Sequence, residues 1–138
     1  MGEVGFVPGS HNGPLYDLYD GDVWVGALAD ADVARTGVDR AEYPTGPAGT
    51  ITVHNCRTVH GSAPNRTDRA RPLLLQTYAP ADAYAYTDLV RPSPHGEELI
   101  RGEPARWARH DPRPCLMPPS GPYRPIFASQ QRETRPLA

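Results

Sequence analysis

The chain has 138 residues, a formal net charge of −2 and a pI of about 6.2. That length suits one domain, or part of one, with a single modest core. The near-neutral balance excludes nucleic acid and membrane surfaces as partners held by bulk charge. No apolar run approaches the length of a membrane span, and no signal peptide precedes the first expected strand. Two cysteines, Cys56 and Cys115, are too few for a disulfide framework, which predicts a soluble cytoplasmic protein. All 14 basic residues are Arg, a usage that reads as GC-rich codon bias and carries no function.

In chain order, residues 3–7 predict a short strand stopped by Pro8-Gly9. Residues 11–22 predict a loop with scattered aromatics, 23–28 another strand, and 29–36 a short turn or helix rich in Asp and Ala. Residues 43–49 form a turn cluster that launches a strand over 50–60. After Tyr78, residues 83–86 extend the last strand. Residues 97–109 have weak helical spacing, broken by Gly102 and Pro104. From residue 112 to 125 prolines dominate and predict an extended arm. The expected organisation is a β core over residues 1–90 and a Pro-rich extension of the same domain over 91–138.

The most informative stretch runs from His54 to Tyr78. Residues 50–59 are rich in β-branched types, 72–78 are mostly apolar, and 61–70 carry Gly, Ser, Pro, Asn and Asp, which turn a chain. Two antiparallel strands across that loop would place His60, at the end of the first, beside Arg71, at the start of the second. An imidazole suits a transition metal, and a guanidinium grips a carboxylate through two parallel hydrogen bonds. A metal ligand beside a carboxylate clamp is what an iron enzyme with a 2-oxo-acid co-substrate requires. Strand parity puts Thr52, His54, Cys56, Thr58 and His60 on one face and Ile51, Val53 and Val59, with Asn55 and Arg57, on the other. That polar face suits either a barrel lumen or water, and Cys56 is expected inside.

These residues resemble the phytanoyl-CoA dioxygenase family of non-haem Fe(II), 2-oxoglutarate-dependent oxygenases. Phe6-Val-Pro-Gly-Ser-His11 is similar to the family's strand followed by Pro-Gly-Ser-His. The segment His60-Gly-Ser62 to Asn65 is similar to the one bearing its second metal histidine, and Arg71 stands eleven residues after His60. The resemblance implies His60 as the distal iron ligand, with Ser62 and Arg71 binding the C5-carboxylate of 2-oxoglutarate. It also implies an all-β fold, a jelly-roll or double-stranded β-helix, incomplete here. The implied reaction consumes molecular oxygen, decarboxylates 2-oxoglutarate to succinate and hydroxylates a small organic substrate.

The family's first two iron ligands, a His-x-Asp pair, lie upstream of the Pro-Gly-Ser-His element, and here only seven residues precede Pro8, none of them His. Three readings follow: a C-terminal fragment, one half of an enzyme whose N-terminal half is a separate chain, or a non-catalytic remnant or binding subunit. A related halogenase, with halide in place of the carboxylate, stays open, whereas a cupin-like metal-dependent isomerase or sugar-binding barrel needs more histidines in a compact motif than this sequence contains. No second ligand set replaces the missing pair. His95-Gly-Glu97 is the only His-x-acid pair and reads as a loop. His11 reads as a hydrogen-bonded loop residue. His54 and His60, six residues apart at about 3.3 Å each, would stand about 20 Å apart on a straight strand. With one imidazole, the chain alone is expected to bind Fe(II) or Co(II) weakly.

Overall fold

The computed structural model describes residues 2–86, 95–96 and 98–117. The chain divides into two compact units, Met1–Leu74 and Leu75–Ala138. In the first unit, β1 (Val4–Phe6) pairs antiparallel with β4 (His60–Ser62) in the register Val4↔Ser62, Gly5↔Gly61, Phe6↔His60. A proline stands two residues after each strand, Pro8 after β1 and Pro64 after β4, restricting its own φ and the residue before it. The Ala63 N–H still donates to the Glu3 carbonyl at 3.0 Å, and there the pairing ends.

β1 is paired on its other edge as well. The Phe6 N–H donates to the Glu42 carbonyl at 2.9 Å and the Glu42 N–H to the Phe6 carbonyl at 2.8 Å. With those groups engaged, Phe6 and His60 face each other as a non-hydrogen-bonded pair, the arrangement in which opposed side chains approach closest. Gly5 sits between them and Val4 in the strand, where a Cβ would stand 2.6 Å from the Tyr43 ring; only glycine leaves that ring its place.

The Ser10 hydroxyl clasps the ladder. It donates to the Val7 carbonyl at 2.7 Å and accepts the Val59 N–H at 2.8 Å, so one side chain of the Pro-Gly-Ser-His element holds the residue immediately before His60. The Val7 N–H in turn donates to the Val59 carbonyl at 2.9 Å. Gly9, at φ 77°, supplies the left-handed turn that carries Ser10 back, into a 3-10 turn over Ser10–Asn12. The segments that carried the family resemblance are therefore hydrogen-bonded neighbours.

β2 (Tyr19–Asp20) and β3 (Val23–Trp24) form a hairpin across Gly21-Asp22, with Gly21 at φ 59° where a tight hairpin turn wants glycine. The helix expected near residue 30 is a single turn, α1 (Asp30–Val33), ended within a few residues by Gly37 at φ 72°. A second 3-10 turn spans Val38–Arg40. The described residues are thus short strands and coil with few helical turns, an arrangement compatible with a cupin-like fold. In the second unit no helix forms over 98–109 and no strand over 83–86. Arg109 there bonds Asp82 at 2.9 Å, and Tyr86 meets His110 at 3.3 Å. Residues 118–125 of the expected proline arm lie outside the described residues, and 112–117 have no regular structure.

Three expectations are corrected. Residues 50–59 form no strand, because Asn55 turns the chain: its side-chain oxygen accepts the Arg57 N–H at 2.9 Å and its carbonyl the Thr58 N–H, also at 2.9 Å. Residues 72–78 form no ladder either, so the hairpin expected between the two is replaced by β1–β4 pairing. Cys56 is exposed, since the parity that would have buried it ends at the Asn55 turn. The buried apolar side chains among the described residues are Val7 and Val25, whereas Ile51 and Val53 are 84% and 93% exposed and Leu74 is 86% exposed. No helix among the described residues is long and apolar enough to cross a membrane.

Ser10→Ala should free the Val59 amide. Leaving that N–H without its partner costs about 1 kcal/mol or more. The Val59 amide should therefore exchange with solvent faster by on the order of tenfold, measured by hydrogen exchange; unchanged exchange would show that the ladder holds without its clasp.

Candidate functional site

β4 builds the site. His60 and Ser62, two residues apart on one strand, project from the same face. The His60 Nδ1 lies 2.7 Å from the Thr58 carbonyl oxygen, to which it donates as Nδ1–H. That hydrogen bond selects the tautomer with the Nε2 lone pair outward, the form an imidazole takes when its far nitrogen binds a metal. Arg71 donates from Nη2 to the Ser62 Oγ at 3.0 Å. Of the residues expected on one patch, Ser62 and Arg71 are in contact and His60 stands two positions along the strand from Ser62, although no strand pairing delivers Arg71.

A hydrogen-bonded loop delivers it instead. Asn65 donates from Nδ2 to the Arg69 carbonyl at 2.7 Å, while its Oδ1 accepts the Thr67 N–H at 3.0 Å and the Thr67 hydroxyl at 2.8 Å. These bonds close residues 65–69 into a compact turn and return the chain toward β4 two residues before Arg71. An asparagine does this because its amide both donates and accepts.

The structure adds two rings that sequence reasoning had set apart. The Asn55 turn folds His54 back, so its ring centroid lies 5.1 Å from that of His60 and 4.7 Å from that of Phe6; the Phe6 and His60 centroids are 5.9 Å apart. The separation of about 20 Å expected from a straight strand is overturned. Asn55, a turn former amid β-branched residues, was the signal available in the sequence. Beside these rings lies a cleft of about 460 Å³ lined by Phe6, Glu42, Tyr43, Thr52 and His54, among others.

His95 and Glu98 form an exposed ion-pair contact at 3.0 Å, and Glu97 lies outside the described residues. Among the described residues no group of three or more His, Cys, Asp or Glu side chains is arranged to hold a metal.

The family model for phytanoyl-CoA dioxygenase (PhyH) matches residues 3–73, from β1 through Arg71. The chain belongs to the phytanoyl-CoA dioxygenase family. It is also 34% identical over 142 residues to a probable alpha-ketoglutarate-dependent hypophosphite dioxygenase of Stutzerimonas stutzeri, an alignment covering 97% of this chain and 49% of that protein. The chain therefore spans about half the length of this curated relative. No solved structure matches it significantly. In this phytanoyl-CoA dioxygenase family chain the matched region coincides with the unit that carries β1, β4 and the Asn65 loop.

Asn65→Ala should loosen that loop, which carries Arg66 and Arg69 as trypsin sites. Cleavage after these residues should accelerate severalfold under native conditions, with Asn65→Asp intermediate because it keeps the acceptor for Thr67. Equal cleavage rates in all three proteins would mean that Asn65 does not order the loop.

Proposed function

We propose that this chain forms the C-terminal half of an Fe(II)- and 2-oxoglutarate-dependent oxygenase of jelly-roll fold, with His60 as one iron ligand and Arg71 and Ser62 as the clamp for the C5-carboxylate of 2-oxoglutarate. The observation that carries this reading is the Arg71–Ser62 hydrogen bond, two strand positions from a histidine whose Nδ1 is already engaged. The donor chemistry fits the metal: an imidazole with an outer-shell hydrogen bond on its second nitrogen. The iron supplies oxygen activation coupled to oxidative decarboxylation of 2-oxoglutarate. This chain's part is to hold one face of the metal and to orient the co-substrate. The guanidinium and the Ser62 hydroxyl already touch, so a carboxylate arriving between them meets donors set on one patch and gains charge-assisted hydrogen bonds.

The other two ligands, a histidine and a carboxylate, belong in this reading to a segment outside the chain that supplies the remaining half of the barrel. The exposure of Ile51, Val53 and Leu74 supports it: apolar side chains this accessible are core residues awaiting cover. A cleft of about 460 Å³ beside the rings suits a small substrate. Hypophosphite, named for the Stutzerimonas relative, belongs in the first substrate panel together with small organic acids.

The test joins or co-expresses the chain with an upstream segment of a family member that carries a His-x-Asp pair, and measures succinate formed from 2-oxoglutarate. Arg71→Leu should weaken 2-oxoglutarate binding by about 1.5–3 kcal/mol, the range for hydrogen bonds to charged groups. Arg71→Lys should recover part of it, since an ammonium cannot pair bidentately. If Arg71→Leu left binding unchanged while Arg69→Leu abolished it, the assignment of the clamp would be off by two residues.

His60→Ala in the same assembly should abolish succinate formation with little change in thermal melting. His60 is exposed in this chain, and losing its ring opens little apolar cavity. A variant that melts much earlier yet turns over normally per folded molecule would remove His60 from the iron site.

A further inference from the structure

The Thr58 carbonyl and the Val59 N–H are the two ends of one peptide group. The N–H donates to the Ser10 Oγ at 2.8 Å, and the carbonyl oxygen lies 2.7 Å from the His60 Nδ1 that donates to it. A peptide group is planar and stiff about its C–N bond, so fixing the direction of its N–H also fixes that of its carbonyl. Ser10 thereby acts, across one peptide plane, on the acceptor that orients the His60 ring. The hydroxyl proton is committed in turn to the carbonyl of Val7, at 2.7 Å, and Val7 is buried. Every donor in this run faces the same way, from the ring toward Val7, and hydrogen bonds aligned in that manner polarise and strengthen one another.

We propose that Ser10 is a positioning residue for His60: through the Thr58–Val59 peptide it sets the tautomer and orientation of the imidazole, so that Nε2 is the nitrogen presented to a metal. This rests on the reading of His60 as an iron ligand and gives the serine of the Pro-Gly-Ser-His element a part in it. The surroundings hold the same peptide plane. The Thr58 N–H donates to the Asn55 carbonyl and the Val7 N–H to the Val59 carbonyl, each at 2.9 Å. Ser10 is braced from behind, because Arg57 donates from Nη2 to the Gly13 carbonyl at 2.9 Å and the Gly13 N–H donates to the Ser10 carbonyl, also at 2.9 Å. His60 itself is exposed. Once the carbonyl can turn away, water competes for Nδ1–H and the ring samples both tautomers. A fixed partner on the second nitrogen also raises the basicity of a ligating imidazole.

The test reads the two ring nitrogens of His60 by their NMR shifts in the 138-residue chain, at alkaline pH where imidazoles are neutral. The parent should show Nδ1 protonated and Nε2 bare. In Ser10→Ala the two shifts should move toward each other as the tautomers mix, and in Ser10→Thr, which keeps a hydroxyl, they should return toward the parent. Val25→Ala removes buried apolar surface elsewhere in the first unit and should leave the ring unchanged, which separates positioning from a general loss of stability. In the assembly completed with an upstream half, Ser10→Ala should raise the Fe(II) concentration for half-maximal turnover about tenfold, the lower end of the effect of outer-shell partners. KM for 2-oxoglutarate should stay as it is, because the Arg71–Ser62 contact lies off this path.

A parent-like ring in Ser10→Ala, with the Phe6 amide still protected from exchange, would reduce Ser10 to a clasp of the ladder and overturn the inference while His60 stands. Mixing of tautomers in Val25→Ala, or a Ser10→Thr ring as mixed as that of Ser10→Ala, would overturn it as well. If Ser10→Ala loses the Phe6 protection, Ser10→Cys decides. Its sulfur is a weak acceptor, so a partial mixture supports the relay and a parent-like ring overturns it. A parent ring protonated at Nε2 would remove both the relay and the reading of His60 as a ligand preset for metal.

Discussion

The three-residue ladder between β1 and β4 is the constraint on which the rest of the first unit depends. It joins residues more than fifty positions apart, so closing it costs loop entropy that short-range contacts cannot return. Two backbone-directed devices offset that cost. The Ser10 hydroxyl bridges the Val7 carbonyl and the Val59 N–H, and Glu42 pairs both backbone groups of Phe6 on the opposite edge. With β1 held on both sides, His60 and Ser62 acquire a fixed face and a fixed register. Polar groups do most of this positioning, since Val7 and Val25 are the buried apolar side chains in the described chain.

Around that ladder, two asparagines do comparable work on opposite sides of His60. Asn55 turns the chain before the strand and brings His54 to its neighbour; Asn65 turns it afterwards and returns Arg71 to Ser62. Each uses its side-chain oxygen to accept a backbone N–H two residues on, a local bond that competes with sheet formation. The chemistry-bearing groups converge because strands are interrupted. Long paired strands would have carried His54 away from His60.

The apolar surface left open has the same origin. Ile51, Val53 and the leucines from 73 to 75 have the composition of buried strands, yet they are exposed in this chain. The described residues pair into short ladders only, which leave these side chains uncovered. Exposed strand-like segments of this kind invite pairing with another segment.

The residue types by themselves determined family membership. Pro-Gly-Ser-His, His60-Gly-Ser62 and the eleven-residue step to Arg71 could be read directly, as could the β1 strand and its stop at Pro8, because turn formers and β-branched runs act locally. The partner of β4 could not be read that way. Periodicity made residues 50–59 and 72–78 the better strands, and only long-range hydrogen bonding selected Val4–Phe6 instead. Likewise Asn55 was visible, but whether its side chain or β propensity would prevail depended on backbone groups supplied from elsewhere in the chain. Thr58 carries the carbonyl that orients His60, and no one-letter code reveals which way a carbonyl points. The sequence specified which groups are present; the tertiary structure decided that His54 lies against His60 and Arg71 against Ser62, because turns closed by side chains reverse the chain twice within twenty residues.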